Sequence, residues 1–192
     1  MVSSSRMLIS GIVLFVASFA ASAQTIEYKV LATSKTSTTQ KEMNEAADAG
    51  FQFGSVMGGE TSFGGSEVVT IMHRKPSSEK GQFVYKLLAT SKTSTMQKEL
   101  QQAGDEGFEY KGQTVYKSTF GGKEVVTILE LDHNIKNRPR YEYRLLATKK
   151  TSTMQKELQE AGAAGFEFVG VTVSDTAMGG TEVVSILRRL GK

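Results

Sequence analysis

Leu31-Ala32-Thr33-Ser34-Lys35-Thr36-Ser37-Thr38 returns as Leu88-Ala89-Thr90-Ser91-Lys92-Thr93-Ser94-Thr95, and again as Leu146-Ala147-Thr148-Lys149-Lys150-Thr151-Ser152-Thr153. Self-similarity at a fixed period marks one folding unit used several times. The alanines of the three copies, Ala32, Ala89 and Ala147, are 57 and then 58 residues apart, and from each a Glu-Val-Val triplet begins 35 residues on, at Glu67, Glu124 and Glu182. No unit therefore contains an insertion, and the odd residue falls between units. Both prolines, Pro76 and Pro139, lie there in polar, turn-rich stretches. The reading is repeat 1 at 24–75, a linker at 76–82, repeat 2 at 83–131, a linker at 132–140 and repeat 3 at 141–192.

The local signals inside a unit agree with one another. In the second copy, Phe83 to Thr90 is rich in aromatic, β-branched and aliphatic residues and predicts a strand. Ser94 with Gln97 fits a capping box opening a helix, as do Ser37 with Gln40 and Ser152 with Gln155. Met96, Leu100 and Ala103 recur at helical spacing on one face, leaving Gln97, Lys98, Gln101 and Gln102 as the wet face. Gly107 can close the helix in the left-handed conformation, with Phe108 folding back toward Ala103; Gly50-Phe51 and Gly165-Phe166 repeat the device. Alternation from Phe108 predicts a half-buried second strand, Gly121-Gly122 a turn, and Glu124 to Leu131 an apolar third strand.

The unit is β-α-β-β. A helical crossover followed by a hairpin return places the third strand between the first two. The fold class is α+β: three tandem β-α-β-β repeats, each a three-stranded antiparallel sheet with one short helix packed on one face. A unit of ~50 residues is marginal alone, so the units are expected to bury surface against each other or another chain.

The helix ends Leu100-Gln101-Gln102-Ala103-Gly104-Asp105-Glu106-Gly107-Phe108 and Leu158 to Phe166 follow a Leu-x-x-x-Gly-x-x-Gly-aromatic pattern. Met43 to Phe51 departs from it with Ala47 in place of the first glycine. With a strand before and a two-stranded return after, each unit resembles the bacterial family known as domain of unknown function 4177, in three tandem copies. That family commonly carries tryptophan where this chain has Phe51, Phe108 and Phe166. The resemblance implies a fold and no activity.

Residues 1–23 read as a signal peptide: Arg6 is followed by the apolar run Met7 to Ala20 and by Ala21-Ser22-Ala23, a small-x-small cleavage pattern. The run is shorter than the ~20 residues of a membrane-crossing helix, so no stable span is expected after cleavage. The expectation is an exported protein, periplasmic or extracellular. With no cysteine, the fold gains nothing from disulfides in such a compartment. A net charge of +3, spread over dispersed lysines, is too weak to argue for nucleic acid.

Chemistry-bearing motifs are sparse. His73 and His133 are the only histidines and neither recurs, and no ligand spacing suggests a metal. Glu42, Glu99, Glu157, Glu67, Glu124 and Glu182 recur in every copy, as structural groups do. The paired glycines 64-65, 121-122 and 179-180 precede a strand and so are turn glycines, not a dinucleotide cradle. Phe63, Phe120 and Met178 just before them are either folded back on the core, the reading preferred, or offered to a partner. Lys35 with Ser37, Lys92 with Ser94 and Lys150 with Ser152 gather a cation and hydroxyls at helix N-termini, a setting for a small anion or ligand. Val169 and Val171 stand where repeat 2 has Lys111 and Gln113, and Val173 continues this apolar row, marking an interface with another repeat or subunit.

The expected function is a non-catalytic binding or interaction module without cofactor, metal or catalytic residues. Its partner would be a protein, an envelope component or a small anionic ligand, with a homo-oligomer as one form. The alternatives are a hydrolase-type enzyme with a cleft between repeats and a structural assembly unit of the cell envelope.

Overall fold

The computed structural model describes residues 25–61, 65–117, 123–175 and 181–191. Unit one is β1 (Glu27–Thr33), α1 (Thr36–Asp48), β2 (Gln52–Thr61) and β3 (Gly65–Arg74). Unit two is β4 (Phe83–Thr90), α2 (Thr93–Asp105), β5 (Glu109–Lys117) and β6 (Lys123–Asp132). Unit three is β7 (Tyr141–Thr148), α3 (Thr151–Ala163), β8 (Glu167–Asp175) and β9 (Thr181–Leu190). Each unit forms its own antiparallel sheet, with its last strand in the middle: β1-β3-β2, β4-β6-β5 and β7-β9-β8. The α+β class and the threefold repeat are thus realised. The leader-like residues 1–23, the glycine pairs except Gly65, and Phe63, Phe120 and Met178 lie outside the described residues. No helix among the described residues is long and apolar enough to cross a membrane.

The central strands are apolar on both sides because both faces are covered. In β6, Leu129 points to the unit's own helix α2, while its neighbour Ile128 points the other way, into a cluster with Met43, Ala46 and Ala47 of α1. In β9, Leu187 packs with Ala161 of α3, while Ile186 joins Leu100 and Ala103 of α2. Helices and sheets therefore alternate as layers, with α1 between the first two sheets, α2 between the second and third, and α3 outermost. The expectation that small units bury surface against each other is met by these shared cores.

The helix ends follow the sequence. Gly50, Gly107 and Gly165 have φ of +90°, +91° and +80°, and Phe51, Phe108 and Phe166 donate back to the carbonyls of Ala46, Ala103 and Ala161 at 2.9–3.0 Å. A cation lies over each of these rings, with Arg74 at 4.7 Å from Phe51, Lys86 at 4.6 Å from Phe108 and Arg189 at 4.3 Å from Phe166.

The helix starts differ from the expectation. The cap positions are Lys35, Lys92 and Lys150, without a side-chain cap bond, and each serine stands at the second helical position. The threonine two residues before each cap is used instead: Thr33, Thr90 and Thr148 accept the lysine N-H through Oγ1 at 3.1–3.2 Å. The capping-box glutamines are thereby released for other work.

Gln40 and Gln97 reach forward to the next unit. Leu87 N-H donates to Gln40 Oε1 at 2.8 Å, and Asn44, one turn on, makes a two-way pair with the Tyr85 backbone at 2.8 and 3.0 Å. In α2, Gln97 accepts from Leu145 N-H at 2.7 Å and donates to Tyr143 O at 2.8 Å, while Gln101 accepts from Tyr143 N-H at 3.1 Å. α1 and α2 thus supply side-chain amides to the outer edge of the next unit's first strand, whose backbone groups would otherwise need water or another strand. This corrects the assignment of Gln97 and Gln101 to a wet face.

Close approach accompanies the bonding. A Cβ on Gly104 would overlap the Tyr141 carbonyl and come within 2.9 Å of the Tyr143 ring, so α2 lies on β7 at a distance that only a missing side chain allows. Gln97→Ala is expected to lower stability by about 1–2 kcal/mol by leaving two backbone groups unmatched, whereas Gln155→Ala, the same change on the uncovered helix α3, stays within about 0.5 kcal/mol. Urea unfolding of the two variants beside the parent checks the contrast; equal losses would contradict the forward-reaching amides.

Candidate functional site

The lysine and serine of each helix start face solvent. Lys35, Lys92 and Lys150 are exposed, as are Ser37, Ser94 and Ser152, and each start is closed locally by the threonine turn described above. Nothing gathers the cation and the hydroxyl of one start into a pocket with those of another.

The polar side chains that do come together lie at the junction of units two and three, beneath the second linker. A cleft of about 250 Å³ is bordered by Glu109, Lys111, Glu130, Asp132, Arg138 and Tyr141. It exists because β5 carries a bulge between Tyr110 and Gly112, which turns Lys111 toward Glu130 on β6. Lys111 Nζ is 3.0 Å from Glu130 and 3.7 Å from Glu109, and Arg188 of β9 closes on Glu109 at 2.7 Å. Glu130, 8% exposed, also accepts from the Tyr85 hydroxyl at 2.7 Å. That hydroxyl in turn accepts from Phe53 N-H of unit one at 2.8 Å. One chain of polar contacts therefore runs through all three units.

The electrostatics follow from burial and these partners. Burial, then the Glu130 carboxylate, push the Tyr85 hydroxyl far above its ordinary 10.0. Burial likewise raises Tyr143, and burial alone raises Tyr110 from 10.0 to about 12. For Lys111 burial works against the charge, but the Glu130 and Glu109 carboxylates outweigh it and its pKa rises. The carboxylates of the cleft are engaged: Glu109 by Arg188, Glu130 by Lys111 and Tyr85, and Asp132 by Gln82 Nε2 at 3.0 Å and Asn134 N-H at 2.8 Å. Such an arrangement ties units together, and no free base points into the cleft among the described residues.

His73 and His133 fall apart from each other, His73 in β3 and His133 in the second linker, where Arg138 approaches its Nδ1 at 3.1 Å. No group of three or more potential metal ligands occurs among the described residues. Of the recurrent glutamates, Glu182 accepts from Thr93 Oγ1 at 2.9 Å, which joins α2 to β9.

The valine row is split by a bulge that alternation could not reveal. In β8 the register shifts between Phe168 and Gly170, so Val169 turns in and packs on the core shared by units two and three. Val171 and Val173 stay out, 48% and 57% exposed, on the face that also carries α3 and together with Phe168. The sequence reading missed Phe168, the junction tyrosines Tyr85 and Tyr143, and the forward-reaching amides. The signal was present as tyrosine at 28, 85 and 143 and as amides four apart in every helix.

Two outcomes are expected from the junction. Lys111→Met leaves Glu130 with the Tyr85 hydroxyl as its remaining partner and lowers stability by about 1–3 kcal/mol, read by urea unfolding. Because the folded-state pKa values of Tyr85, Tyr110, Tyr143 and Lys111 are raised, their contribution is complete below pH 10 and is lost as pH climbs toward 12. The melting temperature should fall over that window, and tyrosinate absorbance from the buried rings should appear only with unfolding. Early ionisation of all the tyrosines in a still-folded chain would contradict this. Comparison with protein-family models, with curated proteins and with solved structures returned no match.

Proposed function

We propose that the chain is a non-catalytic, exported interaction module that works by protein–protein contact through the apolar faces at the two ends of its stack. The observation that carries this reading is where the exposed apolar side chains fall. Tyr28, Val30 and Met57 stand on the free face of the first sheet, and Phe168, Val171 and Val173 on the free face beside α3. A protein rarely leaves apolar groups gathered in this way unless something covers them. Export rests on the leader-like residues 1–23, and the resemblance to a family of unknown function adds no activity to the proposal.

The paired ions of the junction support an architectural role for the cleft, since a hydrolase needs a carboxylate or imidazole free to take a proton. The apolar ends favour a protein partner over a small anion, which the exposed lysines at the helix starts would meet only singly.

A photo-crosslinking phenylalanine analogue placed at Phe168, in the full-length gene expressed in cells, tests the proposal against the same analogue at Lys98 on the exposed side of α2. Protein adducts are expected at 168 and not at 98. Adducts at neither position, or equally at both, would refute contact through the end face.

A further inference from the structure

The two open faces are the unmatched halves of a contact that the chain already makes twice. Tyr28, Tyr85 and Tyr143 occupy the same position in their units, yet Tyr85 and Tyr143 are 1% and 3% exposed and Tyr28 is 69% exposed. The two buried hydroxyls sit on the second-strand bulge of the unit before, taking the N-H of Phe53 at 2.8 Å and of Tyr110 at 2.7 Å. The third residue of that series is Phe168, at the bulge of β8, and it stands 53% exposed.

The helix side tells the same story. The amide pairs Gln40/Asn44 and Gln97/Gln101 hold the edges of β4 and β7. Gln155 and Gln159 stand at the same two positions of α3 and are exposed. The edge they match is that of β1, at Tyr28 and Val30, whose backbone no side chain bonds among the described residues. Gly162 adds an independent mark. It is the counterpart of Gly104, whose missing side chain lets a strand approach, but a Cβ on Gly162 would meet nothing within 4 Å. Glycine inside a helix is unfavourable relative to alanine, and nothing within unit three requires it.

We infer that the face of α3 and β8 receives the β1 edge of a second copy of this chain, so that copies join head to tail. This rests on the reading of the end faces as contact surfaces and names their occupant. The contact is heterologous, pairing unlike faces, and therefore builds a row of copies instead of a two-fold pair. Across it, Gln155 and Gln159 would take the backbone of Val30 and Tyr28, and the Tyr28 hydroxyl would meet the Phe168 N-H.

The test uses protein expressed from the full-length gene and purified, with mass read by light scattering over a range of concentrations. The parent is expected to grow beyond the monomer with concentration. Val30→Glu blocks the head, and Gly162→Leu blocks the tail while filling open space in the isolated chain. Each variant should be monomeric, with a melting temperature no lower than that of a parent monomer. Mixed in equal amounts they should form a dimer and nothing larger, because one intact head and one intact tail remain.

A parent that stays monomeric up to about 1 mM overturns the inference. So does association that survives either single block, which would indicate a two-fold contact between like ends, and so does a mixture that fails to pair. If the purified chain is monomeric while Phe168 still crosslinks to another protein in cells, the self-association falls and the interaction module stands.

Discussion

One helix cannot cover both faces of a three-stranded sheet, and the whole molecule is organised by that shortage. Each unit spends its helix on one face of its own sheet and leaves the other face apolar. The neighbour's helix fills it, so a layer that belongs to one unit in sequence belongs to two in space. The buried central strands, in which Ile128 and Leu129 point in opposite directions and are both fully covered, are the direct result. Burial of such side chains contributes roughly 1.5–3 kcal/mol each, which a lone unit would realise only on one side.

The same arrangement determines where polar groups go. A first strand at the edge of its sheet presents unpaired backbone groups, and here they are met by glutamine and asparagine from the helix of the unit before. An amide is suited to the task because it donates and accepts at once, which a charged side chain in the same place would not. The junctions are similar in backbone and different in chemistry. At equivalent places the three units carry His73, Glu130 and Arg188, and at the bulge Gly54, Lys111 and Val169. Only unit two joins a carboxylate to a lysine there, so an exchange of units would separate partners that are now adjacent.

What the residues reveal in advance is what is decided within one unit. The glycine at the helix end, the alternation of the second strand and the density of valine and isoleucine in the third are local, and the β-α-β-β order follows from them. Ser94 and Gln97 misled because a capping box and a pair of forward-reaching amides use the same residue types, and the choice is made by a strand some 46 residues away. The bulge in β8 is likewise invisible to a period of two, since it is the loss of that period that separates Val169 from Val171. The open ends could be recognised only by contrast with covered ones.

The linkers absorb the single-residue difference between the two intervals, while the packed layers contain none. A tandem array of this kind is open to unequal recombination: a duplicated segment would enter at a linker carrying both the surface that its predecessor needs and the surface that its successor will use. The number of layers is then a quantity that gene rearrangement can change in whole steps, with the shared backbone contacts supplied at each new junction and its ion pairs left to adjust.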